Sequence, residues 1–423
     1  MEYIVVAVAV AVLAVVVHAG LEGAVARRAF PVLLLAFAAR LLVHVFVTRS
    51  GVIHYGGDNR VYELWATEIV ASWKSAGFHV VTAEENPALA GVAFPCHVFA
   101  VVIYLCGGPA PLACTAVVAV IACALCVVMY RFARLLGADE RAAFLLLAVT
   151  AFLPSFLLHT SDMYKDGFNA FLVVASLYLG VSMARRFEVR KVLVLGCLLW
   201  ALWNVRSYMV FMCLVPLAVS LLGVDRGFSP RRLLAFGALL AGAAFIYYGV
   251  IGTAAVEAMM DQLDTGQSDV VRQTNGDGGS GVSFDDGGSA WSSLGLKLLY
   301  TVFSPFPWAQ GSLALQLGKI DVLVSYFLLF AAVRGIPILW RADRRVLLIL
   351  LFFIVPSTIV YATTMANVGL IFRQRMPIVM VAGLLAAVRW TRNSSGGQQS
   401  NAPAEIESSR NLTAPFYRAP RGA

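Results

Sequence analysis

The sequence predicts an all-α fold, a polytopic integral membrane helix bundle. Of its 423 residues, 60% are hydrophobic and 13% are charged, whereas soluble domains are roughly half apolar and a quarter charged. The mean hydropathy is +0.79. Most of the chain must therefore be solvated by lipid, which excludes an ordinary cytosolic enzyme, a coiled coil and a disordered protein.

The basic residues and the cysteines agree with this class. The net charge is +8, but the basic residues form short clusters between apolar runs, which is the pattern of membrane topology and does not indicate a nucleic-acid partner. The seven cysteines lie within or at the ends of apolar runs. An odd number in such settings argues against a disulfide framework.

A membrane-crossing helix needs about 20 apolar residues. The candidate spans are 2–19, 30–47, 111–131, 142–160, 167–184, 191–205, 207–223, 232–254, 318–335, 346–364 and 376–390. Two further apolar segments, 92–107 and 297–311, are short and contain proline, so we predict re-entrant or interfacial helices there. The prediction is a single bundle over residues 1–390, with about 11 spans and two non-crossing helices.

Basic clusters set the orientation of this bundle. The turns that carry them are assigned to the cytoplasm by the excess of Lys and Arg on that side of a membrane. They are centred on Arg27, Arg134, Arg186, Arg231 and Arg344. The N-terminus is then outside, the C-terminus is cytoplasmic, and segments 48–91 and 255–296 are long outer loops. Residues 391–423 are rich in Ser, Asn, Gln, Gly and Pro, which predicts a disordered cytoplasmic tail.

The first candidate functional segment runs from Tyr55 to Tyr62, just after the second span. Charged groups at membrane depth are costly and are functional candidates by default. The glycines before Asp58 allow close approach of a ligand to the backbone, and Asp58 supplies a carboxylate at the membrane surface. An equally supported reading is a polar turn in which Asp58 is the N-cap of a helix marked by Tyr62, Trp65 and Trp73.

The second candidate segment, from His159 to Asp166, is the densest group of ionisable residues between two apolar runs. It contains Asp162, Lys165 and Asp166. A structural alternative is that an acidic residue caps the following helix while Lys165 extends towards the membrane surface. The density of charge favours a functional site.

Arginines on the predicted outer side form the remaining candidates. Arg206 lies in a very short turn between two spans, and Arg373 and Arg375 precede the last span. Guanidinium groups bind phosphate oxygens in a bidentate manner, so these residues suit a phosphate-bearing ligand. Contact with lipid headgroups is the structural alternative. An aromatic segment from Ser304 to Trp308 is equally well explained as an interfacial anchor.

The predicted topology brings these groups to one membrane face. A basic group would neutralise a phosphate leaving group, and a carboxylate would deprotonate an acceptor hydroxyl or coordinate a divalent cation such as Mg²⁺ or Mn²⁺. This combination suits transfer of a group from a polyprenyl-phosphate donor to a hydroxyl. It suits transport of an anionic lipid or sugar equally well, because the binding sites are alike.

The order of the segments resembles the GT-C superfamily of polytopic membrane glycosyltransferases. Gly57-Asp58-x-x-x-Tyr62 is similar to the acidic first outer loop of that family. The apolar helix that begins at Phe94 is similar to the non-crossing helix of that family. Pro154-Ser155 with Lys165-Asp166, and Arg373-x-Arg375-x-Pro377, resemble elements of its bacterial, polysaccharide-associated branch. The resemblance covers residues 30–390. The chain departs from better-defined branches in its extra first span and in lacking an Asp-x-Asp in the first loop.

The resemblance implies roles for individual residues. Asp58 would be the catalytic base or orient the acceptor, and Asp162 and Asp166 would join it as catalytic carboxylates. The implied substrate-binding residues are Tyr62, Lys165, Arg206, Arg373 and Arg375. It also implies a bacterial inner membrane location, a polyprenyl-phosphate-linked sugar as donor, and a glycan, lipid or protein as acceptor. No cofactor is specified beyond the divalent cation.

Three other functions compete with this one. A repeat-unit polymerase usually has arginines in a large outer loop, whereas segment 255–296 carries seven acidic residues and one arginine. A transporter or flippase often shows inverted repeats and broken helices at mid-membrane, and this sequence has no convincing repeat. A structural membrane protein without catalysis is the fourth alternative. The discriminating observation is sugar transfer.

Overall fold

The computed structural model describes residues 1–51, 57–222, 237, 291–308, 313–364 and 373–391. Within these ranges all regular structure is helical, which confirms the predicted all-α class. The described helices are α1 (Glu2–Gly20), α2 (Gly23–Val43, extended by a π-helical turn His44–Thr48), α3 (Asp58–Ala76), α4 (Ala93–Cys106), α5 (Pro111–Leu135), α6 (Glu140–Phe152), α7 (Pro154–Leu158), α8 (Asp166–Arg185), α9 (Val189–Trp203), α10 (Ser207–Leu222), α11 (Leu294–Phe303), α12 (Leu313–Ala342), α13 (Arg344–Thr364) and α14 (Met376–Trp390).

Six helical segments of the described part are long and apolar enough to cross a membrane. They are Glu2–Gly20, Gly23–Thr48, Pro111–Leu135, Asp166–Arg185, Gly318–Ala342 and Arg344–Thr363. Four other apolar helices are shorter, with 10–17 residues. The predicted span 232–254, most of the loop 255–296 and the tail after Thr391 lie outside the described residues, so the number of about 11 spans stays a prediction.

The predicted span 142–160 is not one continuous helix. It divides into α6 and α7 at Leu153, whose ψ of 120° lies outside the helical region. The reason is Pro154, because a proline disfavours helical backbone at the preceding residue. Arg40 of α2 donates to the carbonyl of Ala151 at this break (3.2 Å), which gives a partner to a backbone oxygen at the end of α6.

Helix α4 begins and ends near the same end of the bundle. The backbone N–H of Phe94, at its start, donates to the carbonyl of Asn204 in the α9–α10 turn (3.2 Å). Thr115, just after α4 and within the first turns of α5, lies 3.0 Å from His44 near the end of α2. The start of α4 and the first turns of α5 therefore both contact residues of one end of the bundle; that segment 92–107 does not cross the membrane stays a prediction.

The centre of the bundle is built around α14. Its residues Met376 to Val388 are all buried, and α14 packs against α5, α6, α8, α12 and α13. The approach to α12 is especially close, since a Cβ at Gly335 would collide with the carbonyl oxygen of Leu385. Because Arg373 and Arg375 directly precede α14, the most buried helix carries both arginines into the bundle.

The helix ends form two groups. We call one the Asp58 end; it contains the starts of α3, α8 and α14 and the α9–α10 turn. The other is the Arg28 end, where the α1–α2 turn meets the α5–α6 turn through Arg28 and Glu140 (2.7 Å). Thr391, after α14, accepts from the backbone N–H of Asp139 at this end (3.3 Å).

Candidate functional site

The site begins at the start of α3, where Gly57 has a φ of +75°. This left-handed backbone favours glycine and places Asp58 as the first helical residue. Gly57, not Asp58, is the N-cap residue, and no side chain caps this helix. The carboxylate of Asp58 instead accepts a hydrogen bond from Nη1 of Arg373 (2.6 Å), so the capping alternative for Asp58 is wrong.

Arg373 joins two carboxylates that are far apart in the sequence. Besides contacting Asp58, its Nε and Nη2 donate to Oδ2 of Asp166 at 3.1 and 2.9 Å. The guanidinium carbon lies 5.4 Å from the centre of the Tyr164 ring, a distance that suits a cation–π contact. Burial alone would lower the pKa of Arg373, but Asp166 and Asp58 raise it above its ordinary value.

Asp166 has a second arginine partner. Its Oδ1 accepts from Nη2 of Arg206 (2.7 Å), and Nη1 of Arg206 donates to the hydroxyl of Tyr208 (3.2 Å). We call Asp58, Asp166, Arg206 and Arg373 the Arg373 network. The side chains of Asp166 and Arg206 are only 1% and 6% exposed, whereas that of Asp58 is 39% exposed. Asp58 is therefore the carboxylate of this network that solvent reaches.

Lys165 and Tyr62 border the Arg373 network. The Nζ of Lys165 lies 3.4 Å from the carbonyl oxygen of Gly91. Burial, and then the positive charge of Arg206, lowers the pKa of Lys165 to about 7. Burial, and then Asp58, raises the pKa of the buried Tyr62 phenol, which therefore stays neutral near pH 7. An anion bound beside Lys165 would favour its ammonium form.

Asp162 is fully buried and belongs to a separate cluster. Its carboxylate accepts two hydrogen bonds from Arg49, each 3.0 Å, and one from Nδ2 of Asn59 (2.7 Å). The backbone N–H of Met163 donates to it as well (2.8 Å), and Nδ1 of His44 lies 3.6 Å away. We call Asp162, Arg49, Asn59 and His44 the Asp162 cluster.

The Asp162 cluster is connected to the Arg373 network through the backbone. Asn59 immediately follows Asp58, so its bond to Asp162 holds the first turn of α3 in place. Arg49 also donates to Glu63 one turn further along the same helix (2.8 Å). With its oxygens occupied and no exposed surface, Asp162 is placed to position Asp58 and is enclosed away from solvent.

Arg375 points to a different place from Arg373. Its Nη1 donates to the carbonyls of Val302 (3.2 Å) and Ser304 (2.5 Å) at the end of α11. Positively charged groups bind well to the free carbonyls of a helix C-terminus. Of the predicted binding residues, the structure brings Tyr62, Lys165, Arg206 and Arg373 together and places Arg375 at the end of α11.

A divalent cation has no ready set of ligands here. In the described part of the chain, no group of three or more His, Cys, Asp or Glu side chains lies close enough to hold a metal ion. Oδ2 of Asp58 and both carboxylate oxygens of Asp166 are bonded to arginine instead. The described residues of this site therefore do not match the oxygen-rich set of ligands that Mg²⁺ or Mn²⁺ needs.

The sequence reasoning missed several polar residues of the second span and its end. Arg40 is fully buried and donates to Thr160 (2.8 Å), which precedes Asp162 by two residues. His44 and Arg49 follow it at the Asp58 end. The available signal was an ionisable residue within an apolar span, which is a functional candidate by default. Tyr55, the loop 255–290 and residues 367–372 lie outside the described part.

The comparisons with known proteins include a likeness to a solved structure. No protein-family model and no curated protein matches the chain. The fold is similar to the archaeal oligosaccharyltransferase AglB from Archaeoglobus fulgidus, solved in complex with an inhibitory peptide and a dolichol-phosphate, with 13% identity and a TM-score of 0.49. The match covers 85% of this chain and 50% of that chain, so the chain spans about half the length of AglB. At this score the likeness assigns neither a family nor an activity.

Proposed function

We propose that the chain is a membrane glycosyltransferase that moves a sugar from a polyprenyl-phosphate-linked donor to an acceptor hydroxyl. The observation that carries the proposal is the arrangement around Arg373, which holds a partly exposed carboxylate (Asp58) and a buried one (Asp166) at the same end of a helix bundle. A proton acceptor and phosphate-binding cations are thereby brought within one site. The reaction would take place at the outer face of a bacterial inner membrane, in synthesis of a cell-envelope glycan.

Each group has a role in this reaction. Asp58 accepts the proton of the acceptor hydroxyl, whose oxygen bonds to the anomeric carbon of the sugar as the bond from that carbon to the phosphate oxygen breaks. Arg373 and Arg206 stabilise the negative charge of the departing polyprenyl phosphate. Lys165 adds a third cation, and the Tyr62 phenol offers a neutral hydrogen-bond donor.

Asp166 and Asp162 orient these groups by hydrogen bonds without touching the substrate. Asp166 fixes both Arg206 and Arg373 by direct hydrogen bonds, so it orients the phosphate-binding side chains. Asp162 fixes the first turn of α3 through Asn59. Arg375 contributes by holding the end of α11. In this proposal Asp58 is the carboxylate that touches the substrate, and the other two aspartates are positioning residues.

The proposal is tested with the purified full chain in nanodiscs, labelled polyprenyl-phosphate sugars and a panel of acceptors. Asp58→Asn should reduce the rate of sugar transfer by roughly 10²–10⁴-fold, the usual contribution of a general base, while donor binding is retained. Glu140→Gln at the Arg28 end is the matched control and should keep the wild-type rate. Movement of a lipid-linked sugar across the bilayer without transfer to any acceptor would replace the enzyme by a transporter.

A further inference from the structure

A second concave surface lies at the Arg28 end, away from the Arg373 network. It is a groove of about 740 Å³ between one face of α12 and the C-terminal residues of α5 and α14. Its lining includes Leu136, Phe330, Arg334, Ile338, Arg389 and Thr391. None of these residues has a part in the proposed reaction.

Two arginines give the groove its charge. The guanidinium of Arg334 lies over the Phe330 ring, 4.3 Å from its centre, and Arg389 is in the last turn of α14. Some arginines at this end do have carboxylate partners, for example Arg28 with Glu140 and Arg185 with Asp343. Among the described residues, no carboxylate pairs with Arg334 or Arg389, and both arginines line the groove.

The remainder of the groove is apolar and follows α12 along its length. Phe327, Phe330 and Ile338 lie on the helix face that Arg334 shares, since residues three or four apart are neighbours on a helix. They are 58%, 57% and 42% exposed. Because α12 is long and apolar enough to cross a membrane, this face meets lipid chains.

We propose that the groove binds an anionic glycerophospholipid of the surrounding leaflet. Its phosphate is held by the guanidinium groups of Arg334 and Arg389, and one acyl chain lies along Phe327, Phe330 and Ile338. Guanidinium groups suit phosphate oxygens, and basic pockets between membrane helices are known to hold anionic headgroups. Charge complementarity selects the anionic lipid over a zwitterionic one. The proposal is independent of the glycosyltransferase function, which concerns the other end of the bundle.

The test measures binding of phosphatidylglycerol to the purified full chain in detergent by native mass spectrometry, with phosphatidylcholine as the reference lipid. The wild type should bind phosphatidylglycerol more tightly. The double variant Arg334→Gln/Arg389→Gln should lose roughly 30-fold in affinity, from about 1 kcal/mol for each basic residue near an anionic lipid. A rise in the thermal unfolding midpoint on adding phosphatidylglycerol should be smaller in this variant.

The matched control is Arg341→Gln/Arg344→Gln, which removes the same charge near the same end outside the groove lining. Equal losses in the two double variants would show general attraction to a basic surface and overturn the proposal. So would equal binding of both lipids by the wild type. If soluble glycerol phosphate raised the thermal unfolding midpoint as much as the lipid does, the groove would bind a phosphate without an acyl chain, and the lipid proposal would be wrong. If Arg334→Gln/Arg389→Gln left lipid binding unchanged and altered only protease cleavage after Thr391, the occupant would be the chain's own C-terminal segment and the lipid proposal would be wrong.

Discussion

The two ends of the bundle differ in how far their ion-paired side chains are exposed. At the Asp58 end, the ion pairs of Asp166 join side chains that are between 1% and 10% exposed. At the Arg28 end, Arg28 and Glu140 are 57% and 49% exposed, and Arg185 and Asp343 are 44% and 32% exposed. Exposed pairs contribute little to stability, whereas a buried pair costs a large desolvation free energy.

This difference supports the proposal that the functional site lies at the Asp58 end. Apolar residues of similar size would often stabilise a protein as well as a buried ion pair does. The two buried arginine partners of Asp166 are therefore poorly explained by folding alone. The pairs at the Arg28 end need no further explanation, because charged residues are expected where helices leave a membrane.

The largest effect on stability is expected for Asp166→Asn. The change leaves Arg206 and Arg373 buried without their shared carboxylate, and breaking a buried pair costs about 3–5 kcal/mol. Asp343→Asn is the control at the other end and should cost at most about 1 kcal/mol. The measurement is the free energy of unfolding in detergent. Similar losses in both variants would remove the distinction between the two ends.

The next effect concerns the Asp162 cluster. Asp162→Asn weakens the two hydrogen bonds from Arg49 and should lower the free energy of unfolding by about 1.5–3 kcal/mol, the range for bonds to charged groups. It should also lower kcat more than it raises KM, because Asn59 would no longer fix the turn that carries Asp58. If Asp162→Asn abolished transfer with stability unchanged, Asp162 would be catalytic, as the sequence predicts.

The fold class was accessible from the sequence because lipid imposes long apolar runs, which composition and spacing reveal directly. The structure brings Asp58, Asp166, Arg206 and Arg373 together at one end of the bundle; that this end lies at the outer membrane face stays a prediction. The individual pairings were not accessible, since Asp58 and Arg373 are 315 positions apart and no periodicity relates them. The different direction of Arg375 was also hidden, because it depends on free carbonyls at the end of α11 that only tertiary packing places there.

A third prediction concerns the protonation of Lys165. The pKa of Lys165 is lowered from 10.5 to about 7, so the folded protein binds fewer protons than the unfolded chain between these values. The contribution of Lys165 to the free energy of unfolding should therefore rise with pH from about 7 to 10.5, and it is measured as the difference between the wild type and Lys165→Met. An anionic donor phosphate should raise this pKa again, so donor binding at pH 8 should take up protons. Calorimetry in buffers of different ionisation enthalpy measures this uptake.

Lys165→Met is the variant that decides the origin of the uptake. It should remove both the proton uptake and the contribution of Lys165 to the pH dependence of stability. A full uptake in Lys165→Met would show that another group takes up the proton, and would separate Lys165 from the phosphate site.

The smallest effect is expected at the Arg28 end. Arg28→Gln removes an exposed ion pair with Glu140 and should change the free energy of unfolding by at most about 1 kcal/mol. Added salt should reduce this difference further, since exposed charges are screened. A loss comparable to that of Asp166→Asn would contradict the contrast between the ends.

The central claim is that the Asp58 end carries a reaction and the Arg28 end does not. The most direct measurement compares sugar transfer and thermal stability in one series containing wild type, Asp58→Asn and Glu140→Gln, each of which removes the carboxylate of an arginine pair. We expect Asp58→Asn to lose transfer by roughly 10²-fold or more with little change in stability, and Glu140→Gln to match the wild type in both. Equal transfer by the two variants would contradict the claim.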